Sequence, residues 1–197
     1  MLVVHPQDRT TDVLQLLYEG LEAKVITKEC SNRMMGQFLH NTSIRDRIML
    51  LGHGSERGLY YRKNDEEEGF DGIIVGHPQA YQLRRHGSNM IGIWCHAVEF
   101  AKAEGLHGLF SGMIISEMSE AEENGIATTQ DEIHSSNRTM FCHLRKLIDE
   151  ETPWHEIPAR MKEMDIIFSS LYSNIVVLVT AEGKTLDLIL CLAGKLS

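Results

Sequence analysis

Short apolar runs alternate along this chain with longer amphipathic stretches, and that alternation predicts most of its elements. Residues 2–4 (LVV) read as a brief buried strand. Residues 11–22 place Val13, Leu14, Leu16, Leu17 and Leu21 at helical spacing behind a Thr10 or Thr11 cap, which predicts a helix. Residues 23–27 read as a second strand, and residues 31–40, with Met34, Met35, Phe38 and Leu39, as a second helix. Residues 47–51 (RIMLL) predict a third strand, apolar without alternation, as in a strand covered on both faces.

The pattern then changes. Residues 52–72 hold Gly52, Gly54, Gly58, Gly69 and Gly72 together with the acidic run Asp65, Glu66, Glu67 and Glu68. This predicts a glycine-rich turn followed by a small hairpin, residues 58–61 and 72–75, with the acids as a solvated tip. Residues 78–85 predict a short helix, 90–94 a fourth strand, 98–104 a helix and 109–116 a fifth strand. A long helix is expected over 131–150, with Ile133, Met140, Phe141, Leu144, Leu147 and Ile148 inward. Another is expected over 153–164, with Pro153 in its first turn and Pro158 opposing it from inside. Residues 174–180 and 185–191 read as a hairpin turning at Glu182, Gly183 and Lys184.

Five strands separated by helices imply a three-layer α/β sandwich, a mostly parallel central sheet with helices on both faces. The expected strand order is second, first, third, fourth, fifth. A length of 197 residues, without repeat or linker, predicts a single domain, with a core over 1–150 and a C-terminal helix and hairpin over 151–197.

Composition narrows the function. Hydrophobic residues make up 43% and charged residues 24%, near the globular average. The net charge of −9 argues against a nucleic-acid partner, which needs a concentrated basic surface. No apolar stretch reaches the roughly 20 residues of a membrane span, and the first residues lack a signal-peptide pattern. Cys30, Cys95, Cys142 and Cys191 form no CxxC pair, so reduced thiols in a cytoplasmic setting are expected, with Cys30, Cys142 and Cys191 structural and unbridged. The ten His residues show neither HExxH nor HxH, so neither a metal site nor another cofactor is expected.

Two strand ends carry reactive side chains. The third strand runs into Gly52-His53-Gly54-Ser55, and the fourth into Trp94-Cys95-His96-Ala97. If these strands are parallel neighbours, His53 and Cys95, 42 residues apart, emerge side by side from one edge of the sheet. A thiol beside an imidazole suffices for nucleophilic catalysis. A nearby His and the N-terminus of the following helix are expected to lower the thiol pKa. Gly54 lets the backbone approach a substrate and aim an N–H at a developing oxyanion. Either residue alone is ordinary, a small core Cys or a His at a turn; their joint position favours function.

With those motifs in place, residues 1–148 resemble the caspase-like fold of cysteine peptidases, the group that includes caspases, clostripain, gingipains, legumain, separase and CHAT domains. The resemblance rests on RIMLL followed by GHGS, the hairpin, MIGIW followed by CHA, a helix, and LFSGMIIS. It implies that His53 and Cys95 form a catalytic dyad acting on a peptide or protein substrate, with His53 serving chiefly the leaving amide. The Gly54 and Cys95 amides would be the oxyanion donors. It further implies that Asp8 and Arg9 after the first strand, and Ser116, Glu117 and Glu120 after the fifth, line a substrate pocket. The chain departs from the pattern at Ile93, where clostripain-like peptidases carry an acid, and at Trp94, where a small residue is common.

Two other classes stay open: a catalytically silent caspase-like interaction module, and a small chelatase, whose opening strand LLGHGS resembles and in which the His binds metal. The chelatase pattern begins at the N-terminus, whereas two strand and helix units precede it here. An α/β-hydrolase is disfavoured because GxSxG is absent and GLFSGM sets Ser111 in the wrong register.

Overall fold

Ile48–Leu51 is buried at every position, and this defines the centre of the fold. The computed structural model describes residues 1–64, 69–87, 89–164, 177–181 and 184–188. Strand β3 (Ile48–Leu51) pairs in parallel with β1 (Leu2–Val4) on one side and β7 (Met90–Ile93) on the other. β2 (Lys24–Ile26) pairs with β1, and β8 (Gly108–Phe110) with β7, again in parallel. The order β2-β1-β3-β7-β8 is the one expected from the sequence. β9 (Val177–Ala181) adds antiparallel to β8, and β10 (Lys184–Leu188) to β9, so the C-terminal hairpin joins the main sheet. The expected strand residues 174–176 and 189–191 lie outside the described residues.

Side chains of alternate strand residues enter two separate cores, as the two-residue period of a strand requires. Leu2, Val4, Ile48, Leu50 and Met90 pack with Met35 and Leu39 of α1 (Asn32–Asn41), Leu83 of α2 (Ala80–Arg84) and Phe100 of α3 (Ala97–Glu104). Val3, Met49, Leu51, Ile91 and Ile93 pack instead with Leu14 and Leu17, and with Phe141, Leu144 and Ile148 of the long α5 (Gln130–Asp149). The sheet is therefore covered on both faces, which is why its central strands show no polar alternation.

A second sheet rises from the end of β3. β4 (Gly54–Ser55), β5 (Gly58–Tyr61) and β6 (Gly72–Gly76) pair antiparallel in sequence order. This is the expected hairpin with one added strand; its acidic tip at residues 65–68 lies outside the described residues.

Several element boundaries differ from expectation. The stretch after β1 is a 3-10 helix over Asp12–Leu17, shorter than the expected α-helix. Asp8 explains this: its carboxylate and carbonyl hold the backbone N–H groups of Thr10, Thr11 and Asp12, winding the entry tightly. β8 stops at Phe110; the Ser111 N–H still bonds the Gly92 carbonyl while its hydroxyl bonds Trp94, and residues 111–116 continue as loop. A short α4 (Met118–Glu123) follows that the apolar pattern did not suggest; Glu120 builds its start by accepting the N–H groups of Ser116 and Glu117. α6 (Ile157–Met164) begins four residues later than expected, which puts Pro158 in its first turn, where its missing N–H has no intrahelical partner to lose. Among the described residues no helix is long and apolar enough to cross a membrane.

Candidate functional site

Four adjacent parallel strands, β8, β7, β3 and β1, send their carboxyl ends to one place. A cleft opens there, of about 350 Å³ including its solvent mouth. The segment after β1 contributes Thr10, Thr11, Val13 and Leu14; that after β3, Gly52 and His53; that after β7, Trp94 and Cys95. Ile114 and Ser116 come from the loop after β8, and α5 closes the floor with Asn137 and Phe141. His53 and Cys95 thus face a common cleft. Open parallel sheets gather functional groups at this end because their strands all point that way.

His53 is held by a charge network. Its Nε2 lies 3.1 Å from Asp8 Oδ2 and 2.7 Å from Thr10 Oγ1. Thr10 Oγ1 gives its own proton to Asp8 Oδ1 at 2.8 Å, so toward His53 it can only accept. A carboxylate also only accepts. Both contacts therefore require the proton on Nε2, which leaves Nδ1 as the nitrogen able to exchange a proton with a substrate or thiol.

Asp8 is nearly fully buried, its side chain 3% exposed. Burial by itself would push its carboxyl up. The His53 hydrogen bond and charge, with the hydroxyl and amide of Thr10, outweigh burial and hold it well below the ordinary carboxylate range. The donor set explains the sign. Oδ1 accepts from the N–H and hydroxyl groups of both Thr10 and Thr11 at 2.8–3.1 Å. Hydrogen bonds to charged groups contribute about 1.5–3 kcal/mol each, enough together to offset a burial cost of several kcal/mol. Arg62 Nε adds a cation 3.5 Å from Oδ2. Outside the network, the ring of Phe70 lies 5.2 Å from that of His53 and beneath the Arg62 guanidinium at 4.6 Å.

Cys95 sits differently. The backbone before it is pinned by Ser111, whose Oγ accepts the Trp94 N–H at 3.0 Å and donates to the Trp94 carbonyl at 2.9 Å. The indole of Trp94 is buried, and its Nε1–H donates to the Ser55 carbonyl at 3.0 Å, fastening the end of β7 to the hairpin behind His53. Room for this ring comes from two glycines: a Cβ at Gly54 or at Gly92 would collide with it. After Cys95 the chain turns through His96 in the left-handed region (φ 66°) into α3. Cys95 Sγ donates to the Ile114 carbonyl at 3.5 Å. Burial pushes its thiol pKa up, and the Glu120 carboxylate adds to the rise. The expected lowering by His53 and the helix terminus is thus overturned, because apolar surroundings penalise the thiolate more than one short helix stabilises it.

Of the other expected site residues, Gly54 directly follows His53, in β4, and is not among the residues that line the cleft. The His53 carbonyl accepts the Tyr60 N–H at 2.8 Å, so Gly54, opposite Leu59, is at a non-hydrogen-bonded position and its N–H faces away from β5. Ser116 lines the cleft, with its hydroxyl on Glu120. Asp8 is the partner of His53 instead of a pocket wall. Arg9 is exposed and Glu117 caps α4, and neither lines the cleft. Sequence reasoning missed Thr10 and Thr11 as Asp8 ligands, Ser111 as the brace of the Cys95 turn, and Phe70. Only the D-x-T-T pattern, in which an Asp can bond backbone and hydroxyls two and three residues on, carried a local signal.

The described cysteines Cys30, Cys95 and Cys142 are free thiols, and among the described residues no cluster of three or more His, Cys, Asp or Glu could hold a metal ion. Comparison with protein-family models, with curated proteins and with solved structures found no match.

Proposed function

We propose that this protein is a cysteine peptidase of caspase-like type, with Cys95 as nucleophile and His53 as its acid–base partner. The observation that carries the reading is the shared cleft, lined both by Cys95 and by an imidazole whose proton is fixed on Nε2 by buried Asp8 and Thr10. A His held this way needs no rotation before it can take a proton at Nδ1.

The chemistry follows from those positions. The Cys95 thiol rests protonated. As a peptide carbonyl enters, the thiol proton passes to His53 Nδ1 and Sγ bonds to the carbonyl carbon. The oxyanion lies toward the Gly54 and Cys95 N–H groups. The C–N bond then breaks, His53 returns the proton to the leaving amine, and water hydrolyses the thioester through the same imidazole. A reducing, cytoplasmic setting would keep the nucleophile as a thiol.

The raised thiol pKa favours one rival, a silent relative that keeps the fold as an interaction module. A peptide library read with wild type, Cys95→Ala and His53→Ala separates the two. The peptidase reading expects cleavage that Cys95→Ala abolishes and His53→Ala lowers by roughly 10²–10⁴-fold. Equal cleavage by wild type and Cys95→Ala, or cleavage by none of the three, would overturn it.

A further inference from the structure

The lining of the cleft points to its substrate. We infer that the space beside Cys95 receives an uncharged, apolar side chain of Leu, Met or Phe type, carried by the residue on the acyl side of the scissile bond; this rests on Cys95 being the nucleophile.

The walls are apolar where they are deepest. Leu14 and Phe141 are buried core residues, and Val13 and Ile114 pack against the same core. The polar groups among the lining residues already have partners. Thr10 and Thr11 are bonded to Asp8, Asn137 Nδ2 donates to the Ile115 carbonyl at 2.9 Å, and Ser116 is bonded to Glu120. Among the described residues, the lining includes no Lys, Arg, Asp or Glu. Two neighbouring carboxylates are engaged with other groups: Asp8 serves His53 and Arg62, and Glu120 accepts the amides of Ser116 and Glu117. A guanidinium or carboxylate brought into this space would lose its water and meet only groups already engaged with other partners. An apolar side chain would lose water to its advantage.

The same argument explains Ile93. Where a basic side chain is to be bound, an acid must stand near the nucleophile; here the strand before Cys95 buries Ile93 in the core shared with Phe141.

The test uses a set of peptidyl acyloxymethyl ketones, identical except for Leu, Phe, Ala, Arg or Asp beside the warhead. Cys95 Sγ bonds to the methylene carbon as the C–O bond breaks and the acyloxy group leaves as carboxylate, with the thiol proton released to solvent. Labelling rates at Cys95 are read by mass spectrometry on the intact chain, with Cys95→Ala as blank. We expect the Leu and Phe probes to react at least about 100-fold faster than the Arg and Asp probes. In Val13→Asp, the Arg probe should gain at least tenfold relative to the Leu probe. An Arg or Asp probe as fast as Leu overturns the specificity while leaving the nucleophile standing. Failure of every probe to label Cys95 overturns both.

Discussion

The two halves of the cleft are built on opposite principles. Around His53, a buried carboxylate and Thr10 hold the ring, Thr11 and Arg62 support that carboxylate, and the Phe70 ring packs alongside. Around Cys95 the environment is apolar, and its thiol bonds one backbone carbonyl. In the first half, hydrogen bonds defeat the penalty of burial and Asp8 stays ionised. In the second, nothing comparable opposes burial and the thiol stays neutral. Burial alone therefore decides little about a titratable group; the donors that accompany it decide the sign. For the proposed peptidase the division would mean that the acid–base partner is oriented in advance, whereas the nucleophile ionises only as the substrate arrives.

The largest expected test of this contrast lies behind the polar half. His5 is fully buried, with Nδ1 3.0 Å from the Tyr18 hydroxyl and no partner for Nε2. Burial lowers its pKa to about 4 against an ordinary 6.5, despite the nearby Asp8. The unfolded chain thus binds a proton between pH 6.5 and pH 4 that the folded chain refuses. Stability is complete above pH 6.5 and falls as the pH drops through 4, by about 3 kcal/mol in all from a 2.5-unit difference. Urea unfolding of wild type and His5→Gln across this range should show the loss only in wild type. Parallel curves would mean that Asp8 keeps His5 charged.

Asp8→Asn addresses the polar half directly. An amide turned toward Nε2 would donate there, move the imidazole proton to Nδ1 and disable the nitrogen that the proposed mechanism assigns to the thiol proton. The expected cost is roughly a hundredfold or more in kcat with little change in KM. Alkylation of Cys95 by a small reagent should be unchanged, which separates lost orientation from lost structure. Because the Asp8 pKa is lowered, its stabilising effect is present above the ordinary carboxylate range and fades as the pH falls through the lower, folded value. The stability gap between wild type and Asp8→Asn should narrow in acid.

The smallest effect belongs to the apolar half. With its thiol pushed above the ordinary value of 9, Cys95 should react with iodoacetamide at a rate still climbing about tenfold per pH unit near pH 8. A plateau at neutral pH would reveal a stabilised thiolate and erase the contrast between the halves.

Much of this was legible before the fold was known, and the reasons are local. β3 and β7 declare themselves by unbroken apolar runs, and each ends in a glycine-flanked or turn-forming segment that delivers His53 or Cys95. The expected sheet order is the observed one, although right-handed crossovers decide only on which side of the sheet each helix lies. The misreadings came from competing local bonds. Asp8 tightened an expected α-helix into a 3-10 turn, and at the end of β8 the Ser111 hydroxyl bonds both backbone groups of Trp94. α4 begins on the glutamate hydrogen bonds of Glu120, which leave no mark on hydrophobic periodicity.

The amino-acid sequence by itself determined the layered α/β architecture and the placing of His53 and Cys95 just beyond two of its strands. These depend on periodicity and chain connection, which are properties of neighbours along the chain. The tertiary structure alone decided the chemistry of the pair. Asp8 meets His53 across 45 residues of sequence, and Ile114 meets Cys95 across 19. Which nitrogen carries the proton and whether the thiol ionises are set by distances of about 3 Å between such segments and by the water that packing excludes. Neither quantity is a function of position in the chain.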